Sequence, residues 1–142
     1  MAILRGMARY VVDARTLLLI ASAGVRIHPD HQLVAPNSVR SEALSLLYDQ
    51  VRRGDLTEDE ALGLHERLTE VKMRLLGDRV SRRTAWRIAR ELGWDTIGHA
   101  EYLAVTQLQA DALIAMDESL VRTATGIVPL ASPDDLASAR GA

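Results

Sequence analysis

The chain alternates between short apolar runs and longer segments with helical hydrophobic spacing. The apolar runs lie at residues 8–12, 32–35, 112–116 and 127–130, and runs of this length are typical of buried strands. Strands separated by helices favour a mostly parallel sheet that is covered on both faces. We therefore predict an α/β fold in three layers, with a central mostly parallel sheet flanked by helices.

Apolar stripes and end signals predict helices between these strands. Thr57, with Glu60 three residues later, is a capping-box pattern. Gly24, Gly77 and Gly93 each follow an apolar stripe and are expected to end a helix. The predicted helices are residues 16–23, a helix capped by Asn37 or Ser38, one from Thr57 to Gly77, one from a cap at Ser81 to Gly93, and one from Asp95 or Thr96 through Leu108.

Length and composition indicate one domain. The 142 residues are 48% hydrophobic, which suffices for a single core; residues 1–6 are read as an N-terminal extension or a mis-assigned start, and residues 133–142 as a polar tail. The absence of cysteine excludes disulfides and zinc–thiolate sites and favours a cytoplasmic location. The longest apolar run, residues 16–24, is about one third to one half of a bilayer-spanning helix, so no membrane association is expected.

Three acidic residues stand where a parallel sheet would gather them. Asp13 and Asp117 each end an apolar run, and Glu42 lies early in the helix after the second predicted strand. The carboxyl ends of parallel strands share one edge, where ligands of such sheets bind. Carboxylates that converge there repel one another unless a proton or a hard cation neutralises them, and Mg²⁺ or Mn²⁺ would serve. The alternative is that each acid is only a helix cap or a turn residue.

Several short motifs, in their order and spacing, resemble PIN domains of the VapC toxin type. They are Tyr-Val-Val-Asp-Ala at residues 10–14, Glu42 with the segment before it, His-Ala-Glu-Tyr-Leu-Ala at 99–104, and Ala-Asp-Ala-Leu-Ile-Ala-Met-Asp at 110–117. The resemblance implies a Mg²⁺- or Mn²⁺-dependent endoribonuclease, commonly a homodimer, that is neutralised by a small antitoxin protein. It places the first, second and last acids of the family on Asp13, Glu42 and Asp117.

The sequence departs from that family pattern at three positions, of which the third is Ala115, where the family often has threonine. His99 stands where the family has its third acid, and a neutral imidazole is a poor ligand for Mg²⁺. Glu101 or Asp95 could replace the lost acid. Arg15, where the family favours a small hydroxyl or amide residue, could hold a phosphate or pair with Asp13. These departures leave open a second hypothesis, in which a catalytically inactive PIN-like module binds an antitoxin-like peptide or RNA.

A basic stripe is the remaining candidate for binding. Net charge is −2, so attraction to nucleic acid requires a local basic face. Arg83, Arg87 and Arg90 recur at helical spacing and could contact RNA phosphates, although an ordinary solvated helix face would show the same pattern. Trp86 and Trp94 flank this helix, and we expect them to pack in the core or in a dimer interface rather than stack on bases.

Overall fold

A computed structural model describes residues 8–138. Within this range, no helix is long and apolar enough to cross a membrane. The elements follow the chain as β1 Ala8–Val12, α1 Ala14–Ala23, β2 His31–Pro36, α2 Val39–Arg52, α3 Glu58–Glu70, β3 Arg74–Leu76, α4 Arg79–Leu92, α5 Gly98–Gln109, β4 Ala112–Ile114, α6 Glu118–Ala124 and a final 3₁₀ turn Pro133–Leu136.

Four strands form one parallel sheet in the order β3-β2-β1-β4. Tyr10 is paired with Leu33 of β2 on one side and with Ala112 of β4 on the other. Helices cover both faces of this sheet, which confirms the predicted three-layer α/β arrangement. β2 and β3 lie on one side of β1, and β4 lies on the other. The order in which strands are added to the sheet therefore reverses between β1 and β4.

The two faces of the sheet bury separate apolar clusters. Val11 and Leu113 point into the larger cluster, where they meet α1, α2, α4 and α5. Tyr10, Val12 and Ile114 point to the opposite face and pack in the smaller cluster. Successive strand residues alternate between the faces, and in β1, β2 and β4 all are buried except Arg9 and Gln32, so these strands are mostly apolar.

The structure corrects three predictions about elements. The helix expected to reach Gly77 ends at Glu70, and Arg74–Leu76 instead forms the edge strand β3, because these residues continue the sheet beside β2. Residues 127–130 do not form a strand and contribute only one bridge, between Leu130 and Leu113. The expected polar tail is in part structured, since Leu136 in the final 3₁₀ turn is fully buried.

Helix caps agree with the sequence at some ends and not at others. Thr57 and Glu60 form the predicted capping box, and Gly24 and Gly93 end their helices in the left-handed conformation. Ser81 is inside α4, which is capped by Asp78 instead. Ser38 stands at the N-cap position of α2, as one of the two predicted residues, but its side chain makes no capping hydrogen bond. The prediction that Asp95 or Thr96 caps α5 is wrong, because Ile97 is at its N-cap.

Replacing Leu136 should test whether the final turn belongs to the domain. Leu136 is 0% exposed and packs in the smaller cluster, so Leu136→Ala should lower the free energy of unfolding by about 2–5 kcal/mol. Leu62 is 52% exposed, and Leu62→Ala should change it by no more than about 0.5 kcal/mol. Urea unfolding of both variants is the measurement, and equal effects would show that the turn is not docked.

Candidate functional site

The reversal of strand order places a crevice at the carboxyl ends of β1 and β4. In open parallel sheets, ligands bind where neighbouring connections diverge in this way. Asp13 follows β1 directly, and Asp117 lies three residues beyond the end of β4. The short β4–α6 connection therefore brings the two acids to the same edge of the sheet.

A cavity of about 470 Å³ opens at this edge and is lined by five of the ten predicted site residues. Asp13 and Asp117 line it from the strand ends, Glu42 from α2 and His99 from the first turn of α5. Arg15, in the first turn of α1, also lines it. The structure thus brings these residues together, as the sequence predicts.

Asp13 is the most constrained acid of the cavity. Its carboxylate is 3% exposed and accepts four hydrogen bonds. Oδ1 accepts from the backbone N–H of Thr16 at 2.8 Å and from its hydroxyl at 2.6 Å, which caps α1. Oδ2 accepts from the backbone N–H groups of Met116 at 3.1 Å and Asp117 at 3.0 Å. One side chain therefore fixes the start of α1 to the β4–α6 connection.

Glu42 is paired with a tyrosine. The hydroxyl of Tyr102 in α5 lies 2.9 Å from Glu42 Oε2 and 3.1 Å from Oε1, and donates to this carboxylate. Burial raises the pKa of Glu42 above its usual value of 4.5, the Tyr102 hydrogen bond lowers it, and the charges of Glu101, Asp13 and Asp117 raise it further. The pKa of Tyr102 is raised chiefly by burial and then by Glu42, so its hydroxyl stays protonated as a donor.

His99 lies beside the last acid. Its Nε2 is 4.0 Å from Asp117 Oδ2, and its Nδ1 is 3.3 Å from the hydroxyl of Thr123 in α6. Asp117 also accepts a hydrogen bond from the backbone N–H of Ser119 and so caps α6. The ring of Trp94 meets His99 edge-on, with centroids 6.5 Å apart. The His99 ring therefore lies next to the Asp117 carboxylate at the rim of the cavity.

The remaining predicted residues lie elsewhere. Glu101 acts on Glu42 through its charge but does not line the cavity, and Asp95 is an exposed residue of the α4–α5 connection outside it. Neither residue lines the cavity, so neither replaces the lost acid there. No ion pair within residues 8–138 joins Arg15 to Asp13. The arginines predicted to bind RNA, Arg83, Arg87 and Arg90, are exposed on α4.

The cavity offers carboxylate oxygens, which hard divalent cations prefer, but it offers few of them. Within residues 8–138, no three His, Asp or Glu side chains are grouped closely enough to hold a metal ion on their own. Mg²⁺, however, is usually bound by one or two carboxylates together with water and substrate phosphates. Glu42 and Asp117 would be those carboxylates. Asp13 already accepts four hydrogen bonds, which fill its acceptor positions, so direct coordination would displace some of them.

The hydroxyl groups that line this cavity were not among the site residues predicted from the sequence. Ser38, Ser41 and Ser45 line it beside Glu42, and Tyr102 lines it from α5. For Ser38 and Ser45 the signal was present in the spacing, because they are four and three residues from Glu42 and so lie on its side of the helix, whereas Ser41 is adjacent to it. The pairing of Tyr102 with Glu42 spans distant parts of the chain and carries no local signal.

Comparison with solved structures supports the fold. The chain is similar to the crystal structure of PAE2754 from Pyrobaculum aerophilum, with 22% identity, a TM-score of 0.68 and coverage of 92% of this chain and 94% of that chain. At this identity the similarity shows the fold and carries no function. No protein-family model and no curated protein matches the sequence.

Asp13 should contribute to stability as well as to any chemistry. In Asp13→Asn, an amide N–H would face the backbone N–H donors of Thr16 or those of Met116 and Asp117, whichever way the amide is turned. We expect a loss of about 1–3 kcal/mol in the free energy of unfolding. Asp117→Asn is the control, since asparagine caps helices about as well as aspartate. Equal stability of Asp13→Asn and the wild type in urea unfolding would contradict this role.

Glu42 should make stability depend on pH. A carboxyl whose pKa is raised in the folded state binds its proton more tightly there, so its contribution to stability falls as the pH rises from 4.5 through the folded pKa. Glu42→Gln keeps an acceptor for Tyr102 and removes the charge. This variant should be more stable than the wild type at neutral pH, and the difference should shrink toward pH 4.5. Urea unfolding at stepped pH measures it, and a difference independent of pH would contradict the assignment.

Proposed function

We propose that this chain is a divalent-cation-dependent endoribonuclease that hydrolyses RNA phosphodiesters at the acidic cavity. The observation that supports this most is the meeting of Asp13, Glu42 and Asp117 around one cavity at the sheet's reversal point. The charges of Asp13 and Asp117 oppose ionisation of Glu42, so a cation in the cavity would be favoured. The resemblance to PIN domains adds the nature of the substrate.

The residues have separate roles in this proposal. Glu42 and Asp117 hold the ion, which supplies charge neutralisation and activates water for hydrolysis when bound. Asp13 positions Asp117, because it accepts a hydrogen bond from the Asp117 backbone N–H. Tyr102 orients the Glu42 carboxylate, and His99 lies against Asp117. Arg15 at the cavity wall is placed to meet a phosphate, since no ion pair to Asp13 within the described residues engages it.

The resemblance extends the proposal to partners and location. A small antitoxin protein would cover the acidic cavity, two copies of the chain would form a homodimer, and both would act in the cytoplasm. These parts rest on the resemblance and on the absence of cysteine, and the cavity's acids are the surface that an antitoxin would have to meet.

A second candidate is a catalytically inactive module that binds an antitoxin-like peptide or RNA. Two observations favour it. The acceptor positions of Asp13 are filled by hydrogen bonds, and His99 stands in the cavity where the family has an acid. Both reduce the negative charge and the oxygen ligands that are free to bind Mg²⁺.

RNA cleavage should separate the two candidates. Purified protein with single-stranded RNA and Mn²⁺ or Mg²⁺ should yield cleavage products on a denaturing gel. Glu42→Gln should lower the rate by more than about 100-fold, since replacing even an outer partner of a metal site costs 10- to 100-fold. His99→Asp should raise the rate in Mg²⁺, because it adds an oxygen ligand.

Glu58→Gln is the control for this assay. Glu58 is an exposed acid at the start of α3, so its removal should leave the rate unchanged. Cleavage that survives Glu42→Gln would come from a contaminating nuclease and would contradict the proposal. Activity confined to His99→Asp would support the inactive module instead.

A further inference from the structure

The exposed face of α4 carries an unusual density of positive charge. Its buried face is formed by small and apolar residues, chiefly Ala85, Ile88 and Ala89. The arginines all point outward, in a chain whose net charge is −2. These exposed arginines are Arg79, Arg82, Arg83, Arg87 and Arg90.

This arrangement opposes the stability of the helix. Arg79, Arg82 and Arg83 lie near its N-terminus, where the helix dipole favours negative charge, and no acidic residue is present in the first turn. Arg79 and Arg83, and then Arg83 and Arg87, are four residues apart and repel each other. An ordinary solvated face would intersperse acids, as the pair Arg87 and Glu91 does at 3.7 Å. Among residues 8–138, no salt bridge joins the other four arginines to an acid, and only Arg82 has a nearby opposite charge, that of Asp78 at the N-cap.

Trp86 stands in the same stripe. It is 68% exposed, so of the two expected places, the core and a dimer interface, the core is excluded. At 100° per residue, Trp86, Arg83, Arg87 and Arg90 fall within about 100° of the helix circumference. An aromatic plane among guanidinium groups is the combination that binds single-stranded nucleic acid, in which phosphates meet cations and bases stack.

The stripe ends beside the acidic cavity. Arg90 lies one turn before Trp94, and the ring of Trp94 meets His99, which lines the cavity. Trp94 is partly buried against the larger apolar cluster, so this contact is a fixed part of the fold. From Arg79 to Arg90 the helix rises about 16 Å, a length that several nucleotides of an extended strand would follow.

We infer that the Trp86 and arginine face of α4 is a binding surface for single-stranded RNA, which leads the strand toward the acidic cavity. This inference rests on the proposed function and adds a second RNA contact outside the cavity. Charge complementarity selects a polyanion, and the exposed indole selects one that carries bases. Two copies of this face would repel each other, so a two-fold symmetric dimer across it is disfavoured.

Binding should be measured under conditions that prevent cleavage. The probe is a fluorescein-labelled, single-stranded 2′-O-methyl oligoribonucleotide, followed by anisotropy in EDTA at several salt concentrations. Replacing Arg83, Arg87 and Arg90 together with alanine should weaken binding and reduce the salt slope by about 0.7 per lost phosphate contact, hence by about 2 in total. The control replaces Arg26, Arg52 and Arg53 with alanine, which removes equal charge from exposed positions outside α4.

Trp86 should act through stacking rather than charge. Trp86→Ala should weaken binding by about 5- to 150-fold while the salt slope stays unchanged, and Trp86→Phe should restore most of the affinity. Equal weakening by both triple variants would overturn the inference, because it would show attraction by net charge alone. Binding of polyglutamate as tight as that of RNA would also overturn it and would favour an acidic protein partner.

The outcomes for binding and cleavage are independent. If the wild type binds the oligonucleotide and its arginine variant does not, the inference stands even where no RNA is cleaved with Mg²⁺ or Mn²⁺, and only the proposed function fails. If RNA is cleaved but the α4 variants bind as tightly as the wild type, the α4 surface is rejected and the proposed function stands. Circular dichroism should show folded variants, since alanine relieves the repulsion along α4.

Discussion

The structure of the candidate site depends on the buried carboxylate of Asp13. Its four hydrogen bonds join the end of β1 and the start of α1 to the β4–α6 connection. These segments lie about a hundred residues apart in sequence, and the backbone N–H groups of Met116 and Asp117 have their acceptor only because Asp13 is there. The hydrogen bond from the Asp117 backbone to Asp13 joins these segments and also positions Asp117 at the cavity. The stability of the fold and the geometry of the site therefore depend on the same side chain.

That arrangement concentrates negative charge beside the apolar core. Asp13 offsets its burial through hydrogen bonds to its ionised form, whereas Glu42 receives only the hydroxyl of Tyr102 and has a raised pKa because of its burial. The cavity is therefore less stable with Glu42 ionised than with its charge neutralised. A bound cation would remove this penalty, and α4, which carries the opposite charge, is followed by Trp94, whose ring contacts His99.

The sequence predicted what depends on local pattern. The buried strands β1, β2 and β4 are mostly apolar, and acids that follow such strands must lie at one edge of a parallel sheet. It failed where pairing across the chain decides: Arg74–Leu76 has helical spacing, yet lies beside β2 as a strand, and Leu136 follows a polar stretch, yet fills the smaller cluster. The sequence could not show that hydrogen bonds fill the acceptor positions of Asp13 and so limit its use as a metal ligand. Two of the donors are backbone N–H groups about a hundred residues away.

The central claim is that Glu42 and Asp117 share a divalent cation at this edge. Calorimetric titration of Mn²⁺ into the metal-free protein at neutral pH tests it without any assumption about substrate. We expect one saturable Mn²⁺-binding event below millimolar concentration, and we expect both Glu42→Gln and Asp117→Asn to abolish it. Absence of saturable heat at millimolar Mn²⁺, or binding that persists unchanged in both variants, would contradict it.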